Sequence, residues 1–482
     1  MVTTVHVYIS VEKVEWCYFC LHLTKVVRMQ FNVIRSVKRF GMRGSVIIAL
    51  LLMCFCVPNN IYAQANADSV QSLTLKQCID YALKNQPVLQ QAYINVSIAH
   101  ATNAISLSGW LPQIGVTGNL THYIQLPTNF VGNPPTPTQT GVVNTAIPGV
   151  GVTQTIFNPE LIYAAHAAPL YIKQAEEITD STKIFLVSEV SKSFYNLLLT
   201  LQEINVLQED TIRLFRNYTD AYHQYVGGIV DETDYEEAAI TLNNSKAQLK
   251  QATENIAPNY ANLKQLMGYP PEKQFNVSYD TAQMIQDIAF DTTQQLKYEQ
   301  RIEFQQLKTN KDIQNEVVNY YRFAFLPTLS GFYNYNYEFE NNQFEHLFDN
   351  AYPNSYIGLS LSIPIFTGFA RVQNLRKAKL QGQLIDWDGV NLRSQIYAEY
   401  TTALANYKSN VYNVDVLRDN VTMARRTYTV VTLQYKQGIV AYLNVITAES
   451  NLISSEIGYI NALSQVLSSK IDLEKAMGDI TY

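Results

Sequence analysis

The body of this chain has no extended run of Lys or Arg, and only 16% of its 482 residues are charged. A nucleic-acid partner needs a basic patch, so the composition excludes one. The charge is also low for a soluble coiled-coil protein, in which about half the residues are A, E, K, L or R. Cysteine is scarce where it would matter. Cys17, Cys20, Cys54 and Cys56 crowd the first sixty residues, which leaves Cys78 alone and no internal disulfide beyond them. The histidines (His6, His22, His100, His122, His166, His223 and His346) are scattered without metal-ligand spacing. H-E-x-x-H, G-x-S-x-G and a glycine-rich phosphate loop with lysine are all missing, so neither an enzyme nor a cofactor is expected. Apolar runs are short, with no spanning-length apolar helix after the first sixty residues.

What is present at the start is a leader. Arg35, Lys38, Arg39 and Arg43 precede an apolar stretch over residues 46–57, and Ala63 offers a small residue for cleavage. That order reads as a secretory signal over residues 1–63. A membrane anchor in its place would need ~20 apolar residues. Residues 1–28 form a second apolar patch, and Met29 or Met42 are alternative starts. The leader holds seven of the 35 basic and two of the 41 acidic residues, so the remainder carries 28 and 39, a net charge of -11.

The chain is internally duplicated. Tyr225, Gly228, Ile229 and Val230 return 210 positions later as Tyr435, Gly438, Ile439 and Val440. The same offset pairs Ala238 with Ala448, Leu242 with Leu452, and Met267 and Gly268 with Met477 and Gly478. A fixed offset of this kind marks a repeated unit. The first repeat spans residues 64–267, a linker 268–293, and the second repeat 294–482.

Within the first repeat, apolar residues at helical spacing predict a helix over 73–110, interrupted by Pro87 and ended at Trp110, Leu111 and Pro112. The period then changes to 2. Ile114, Val116, Leu120, Ile124 and Leu126 alternate with polar residues, which predicts a strand with one apolar face. Residues 127–148 read as an exposed loop and Val150, Val152 and Ile156 as a second strand. Asn158, Pro159 and Glu160 are a helix start. The helix continues to about Tyr225 on a heptad seam of Val187, Val190, Phe194, Leu197, Leu201, Ile204, Gln208, Thr211, Phe215, Tyr218, Tyr222 and Tyr225. Such a helix is roughly 100 Å long. After Gly228 the chain turns back into a return helix over 232–266.

The second repeat follows the same plan. A helix from about Gln294 ends at Phe325, Leu326 and Pro327. A strand carries Leu329, Tyr333, Tyr335, Tyr337 and Phe339 on one face. An acidic loop covers 340–354. The next strand has Ile357, Leu359, Leu361, Ile363 and Ile365 on one side and Gly358, Ser360 and Ser362 on the other. A long helix over 370–437 carries a seam of Leu417, Val421, Ala424, Tyr428, Val431 and Tyr435, and a return helix runs to the end. At offset 210 that seam pairs with Leu207, Thr211, Leu214, Tyr218, Ala221 and Tyr225, one position off the first seam at Leu207, Leu214 and Ala221.

Four amphipathic strands, an export signal and helices far too long for a bilayer point to a membrane barrel continued into solvent. A spanning sheet must close, and closure takes at least about eight strands, so four per chain require an oligomer. The fold class is therefore α+β: an oligomeric transmembrane β-barrel continued by an α-helical coiled-coil barrel. An exported structural coiled-coil protein without a channel accounts for the heptads but not for the strands.

In these features the chain resembles the TolC-like outer membrane efflux proteins. The resemblance rests on Leu73 and Leu75 with Ala82, Leu83, Asn85 and Pro87, on Trp110-Leu111-Pro112, on the paired Tyr-x-x-Gly tips and on the two Leu-x-x-x-Met-Gly ends, and it covers residues 72–482. It implies a homotrimer with twelve strands in outer membrane lipid and a periplasmic helical tunnel. It also implies docking to a periplasmic adaptor and an inner-membrane pump. The tips would form the periplasmic entrance, with Tyr225, Gly228, Asp231, Glu232, Asp234, Tyr435, Gly438, Asn444 and Thr447 around it. Tyr435 and Asp234 fall where the family has a tyrosine and an aspartate that hold the entrance shut. The family's second-tip aspartates fall on Asn444 and Thr447, and the basic residue often found after the second glycine is Val440. Acids cluster instead at the first tip, as Asp231, Glu232, Asp234, Glu236 and Glu237. They either start a solvated helix or line a cation-selecting entrance.

Overall fold

The computed structural model describes residues 71–278 and 287–482. The expected leader and part of the linker lie outside the described residues. The first repeat contains β1 (Gln71–Leu73), α1 (Leu75–Asn85), α2 (Pro87–Leu107), β2 (Gln113–His122), β3 (Thr128–Val131), β4 (Thr136–Gln139), β5 (Asn144–Phe157), α3 (Pro159–Val226) and α4 (Glu232–Met267). Then come β6 (Phe275–Val277), α5 (Ile302–Phe323), β7 (Thr328–Asn341), β8 (Ala351–Ser362), α6 (Ala370–Lys436) and α7 (Tyr442–Met477).

The helix boundaries follow local chemistry. Thr74 caps α1 in a capping box with Gln77. Pro87, with no N–H to donate, takes the first position of α2. The Asn158 side chain accepts from the Glu160 N–H at 2.8 Å and starts the 68 residues of α3. At 1.5 Å per residue α3 is roughly 100 Å long. One 18-residue stretch of α3 is apolar enough to cross a membrane by composition, contrary to the sequence expectation, but 61% of it is buried inside the chain. Its apolar side chains serve the helical core.

The sheet order is β2-β5-β7-β8, all antiparallel, so the two repeats meet at β5 and β7. The register aligns one apolar face across all four strands. Ile114 and Val116 of β2 oppose Val152 and Val150, which oppose Tyr333 and Tyr335. On β8, Ile357 opposes Tyr333 and Leu361 opposes Leu329. The other face is mostly polar, and its glycines make room for neighbouring aromatics and amides. A methyl group at Gly149 would fall 2.0 Å from Asn336 Oδ1, and one at Gly358 2.5 Å from Phe332 Cζ. β2 and β8 are the free edges of this sheet.

Several boundaries differ from the sequence reading. β5 begins at Asn144 rather than near Val150, although it contains Pro148. Pro148 is accommodated because the ladder to β7 lapses at Ile147 and Pro148 while the ladder to β2 continues. The expected loop contains the β3–β4 hairpin, which paired in-register partners stabilise. Ile124 and Leu126 fall beyond β2, and Ile363 and Ile365 beyond β8. β8 also starts earlier, at Ala351. The linker is not wholly irregular. β6 pairs in parallel with β1, 204 positions away in the chain, and Ser278 N–H donates to the Leu73 carbonyl at 2.9 Å. α5 starts at Ile302, not near Gln294, since Arg301 is extended.

The buried line on α3 runs through Ile204, Leu207, Asp210, Leu214 and Ala221, whereas Gln208, Phe215 and Tyr222 are exposed. The seam therefore takes one extra step of three after Ile204 and falls into register with the second repeat. A three-residue slip of this kind overwinds a coiled coil locally. The main core joins the two repeats through Cys78, Leu89, Phe194, Leu197, Leu263, Met267, Val466 and Leu473, among others.

Both Met-Gly ends perform one structural task. Gly268 and Gly478 end α4 and α7 with left-handed φ of 65° and 81°. Each packs against the break before a helix that leads into the sheet, α2 for Gly268 and α5 for Gly478. Gln86 Nε2 donates to the Gln265 and Leu266 carbonyls at 3.0 and 3.1 Å. In the second repeat Arg301 takes this place, with Nη1 donating to the Ala476 carbonyl at 2.8 Å. Arg301 also pairs with Glu303 at 2.9 Å and Glu399 at 2.8 Å, although the guanidinium is buried. Arg301→Ala is expected to lower stability by about 2 kcal/mol, because two carboxylates and a helix end lose a charged donor. Gln86→Ala should lose about 1 kcal/mol, as a neutral contact. Thermal unfolding of the two variants checks the ranking.

Candidate functional site

The two Tyr-x-x-Gly segments close the long helices in the same way. Gly228 N–H donates to the Tyr225 carbonyl and Ile229 N–H to the Gln224 carbonyl, both at 2.9 Å. At the second tip Gly438 bonds Tyr435 at 2.8 Å and Ile439 bonds Gln434 at 2.9 Å. Both glycines have left-handed φ, 70° and 73°. These are Schellman caps, which satisfy the last carbonyls of a helix and reverse the chain. They bring the starts of α4 and α7 beside the ends of α3 and α6.

Around the tips the side chains form a tyrosine cluster. Ala221, Ala238, Tyr442 and Val445 are buried, with Tyr218, Tyr235, Tyr428 and Tyr435 packed against them. Tyr225 meets Tyr235 at 4.9 Å between ring centroids, and Tyr435 meets Tyr442 at 5.2 Å. The Tyr435 hydroxyl donates to Gln224 Oε1 at 2.5 Å, a bond from the second repeat to the first. Burial raises the pKa of Tyr435, with the charges of Asp234 and Asp220 adding to it. Gln224 is a partner that the sequence reading did not identify, since a glutamine one position before the motif carries no periodic signal.

Asp234 lies close to Tyr435 but does not accept its hydroxyl. Its pKa is raised by desolvation and by Asp231. Among the described residues its carboxylate has no hydrogen bond or ion pair. Asp231 takes the N-cap position of α4 through its backbone, its carbonyl accepting from Asp234 N–H at 3.2 Å, and Glu232 is the first helical residue. Asp231, Glu232, Gly228 and Gly438 are exposed, as are Asn444 and Thr447 on α7. Among the described residues Asn444 and Thr447 bond only their own helix or its N-cap, to the carbonyls of Ala441 and Leu443. The structure thus brings Tyr225 and Tyr435 into the tyrosine cluster with Asp234 nearby, and leaves the other tip residues facing outward.

A second polar group, also unread in the sequence, lies above the cluster. Arg213 of α3 pairs with Asp210 and donates from Nε to Glu449 Oε1 at 3.1 Å. Asn217 Nδ2 donates to Glu449 Oε2 at 2.8 Å. Burial pushes the Asp210 carboxyl up to about 6, against the opposing pull of Arg213. The legible signal was a charge on an apolar seam: Asp210 stands between Leu207 and Leu214.

The model of the family described as outer membrane efflux protein matches residues 78–269 and 295–479, one segment in each half of the chain. Among curated relatives, the toluene efflux pump outer membrane protein TtgC of Pseudomonas putida is 22% identical over 414 residues, 85% of this chain and 83% of its own. The crystal structure of outer membrane protein VceC from Vibrio cholerae superposes with a TM-score of 0.67 at 16% identity, covering 84% of this chain and 96% of that one. The Campylobacter jejuni CmeC outer membrane channel gives 0.66 at 20% identity, covering 84% and 85%. Two repeats matched in order, with the same fold around them, leave one assignment: the chain belongs to the outer membrane efflux protein family.

Proposed function

We propose that this protein is the outer membrane channel of a tripartite efflux system, a transport protein rather than an enzyme. In this reading it conducts substrates passively outward from a periplasmic adaptor and an inner-membrane pump. The observation that carries it is the four-stranded sheet, with one continuous apolar face, one small polar face and two free edges, joined to helices roughly 100 Å long. Free edges are not stable in hydrocarbon, so neighbouring copies pair β2 with β8. Three copies supply twelve strands, as in the resemblance to TolC-like proteins, and the helices extend into the periplasm. The tips are then the periplasmic entrance and the surface offered to the adaptor. Curated relatives whose names denote toluene and antibiotic efflux pumps favour small molecules as cargo.

Reconstitution in planar bilayers tests the proposal, together with heat-modifiable migration of outer-membrane fractions. Discrete channels from a heat-modifiable oligomer are expected. A soluble periplasmic species would overturn it. Tyr435 is already bonded to Gln224, so Asp234 serves the closed entrance through a neighbouring subunit. Asp234→Ala is expected to raise closed-state conductance roughly tenfold, the worth of one charged hydrogen bond. Unchanged conductance from an intact oligomer would remove Asp234 from the latch.

A further inference from the structure

The polar group above the tips joins elements of both repeats. Arg213 stands 15 residues before Gly228 on α3, which places it roughly 20 Å up the helix from the tip. Asp210, Arg213 and Asn217 share one face of α3. Glu449 and Glu456 lie one heptad apart on α7, and Arg425 and Tyr428 on α6. Glu449 is 1% exposed and both its oxygens are taken by α3, one by Arg213 and one by Asn217. The same Asn217 amide also reaches Tyr428 Oη at 3.2 Å, and the Arg213 guanidinium sits 5.2 Å from the Tyr428 ring centroid. From α6, Arg425 Nη2 donates to Glu456 at 2.6 Å. Asp210 Oδ2 is buried with no hydrogen-bond partner among the described residues.

The surroundings make these contacts hard to exchange. Below them is the tyrosine cluster of the tips, and above them Ile204, Leu207 and Ala252 form an apolar plug with Ile457. Pulling α7 away from α3 would strip Glu449 of Arg213 and Asn217, and leave it on α7 with only the Tyr428 hydroxyl of α6 as a donor and no cation. A buried carboxylate without its cation is strongly unfavourable, so the contact has two discrete states, made or hydrated.

We propose that Arg213, Asn217 and Glu449 form an intrachain clamp between the two coiled coils, which must be undone before the second tip can swing away from the first. The proposal rests on the reading of the chain as a channel gated at its tips. The clamp is separate from the Tyr435 contact: it acts between α3 and α7, higher up, and involves none of the tip residues. Its three members position helices, and substrate need not touch them.

The test uses the full-length oligomer in planar bilayers. Glu449→Ala cuts both bonds and is expected to raise closed-state conductance roughly tenfold. Asn217→Ala, which removes one neutral donor, should give a smaller rise of roughly threefold. An Asn217→Cys/Glu449→Cys pair bridged by a short bismaleimide should hold conductance at or below the unmodified level, even with Asp234→Ala added. Heat-modifiable migration establishes that each oligomer is intact. If Glu449→Ala does not assemble, Asn217→Ala and the bridged pair still separate the two outcomes. Unchanged conductance in the alanine variants, or full opening of the bridged pair, overturns the clamp while leaving the channel standing. Absence of any channel from the unmodified protein is instead the failure of the channel reading.

Discussion

Leu359→Arg is expected to abolish assembly in the outer membrane, while Ser360→Arg, one residue along, is tolerated. Leu359 is 72% exposed within one chain and sits with Ile357 and Leu361 on the apolar face of β8. Ser360 and Ser362 share the opposite face with Gly358. Successive side chains of a strand point to opposite sides, so in the proposed barrel the two substitutions would place the same charge in lipid or in a wet lumen. An arginine on the lipid face of a barrel costs about 2–4 kcal/mol near the bilayer midplane. The proposed trimer would carry it three times. Fractionation and heat-modifiable migration read the outcome, and bilayer recording of Ser360→Arg should show a narrower, less cation-permeable pore. Normal assembly of Leu359→Arg would show that the apolar face of β8 does not meet lipid.

Gly268→Ala is expected to destabilise the fold by about 3 kcal/mol, from two penalties that add. The residue has φ of 65°, where a side chain collides with its own backbone. A Cβ there would also lie 2.8 Å from the Asn85 carbonyl oxygen and 3.0 Å from Gln86 Cα, and backbone cannot rotate out of the way. Gly478→Ala should be milder, since its nearest neighbours, the Gln300 carbonyl oxygen and carbon, stand at 3.1 and 3.2 Å. The tip glycines are the control. Gly228 and Gly438 share the left-handed φ, but nothing lies within 4 Å of an added Cβ. Their alanine variants should lose only the conformational cost, about 1 kcal/mol. Thermal unfolding should rank Gly268 above Gly478 and both above the tips; equal losses at all four would mean that packing at the Met-Gly ends contributes nothing.

These expectations draw on different depths of the chain. The start of α3 and the ends of α3 and α6 were legible because Asn158-Pro159 and the Tyr-x-x-Gly segments act on backbone groups within a few residues of themselves. Strand faces were legible because burial on one side writes a period of two. The extent of β5 was not. Pro148 reads as a breaker, and only the neighbouring β7 shows that its missing N–H falls where the ladder lapses. β6 has three residues, too few for any period, and exists because β1 lies beside it. The seam on α3 departs from the sequence expectation at Gln208 and Phe215 because an unbroken heptad fits the local sequence equally well. The second repeat's register, at offset 210, already marked Leu207 and Leu214.

Sequence alone determined the duplication, the order of the long helices and the four main strands, the amphipathic faces of those strands and the tip caps. Each of these depends on interactions within a few residues or on the chain's comparison with itself. Only the tertiary structure decided the partners: Gln224 for Tyr435, Arg213 and Asn217 for Glu449, Arg301 for the end of α7. A polar side chain is specified in sequence as a donor or an acceptor, and which group satisfies it depends on how helices hundreds of residues apart are brought together.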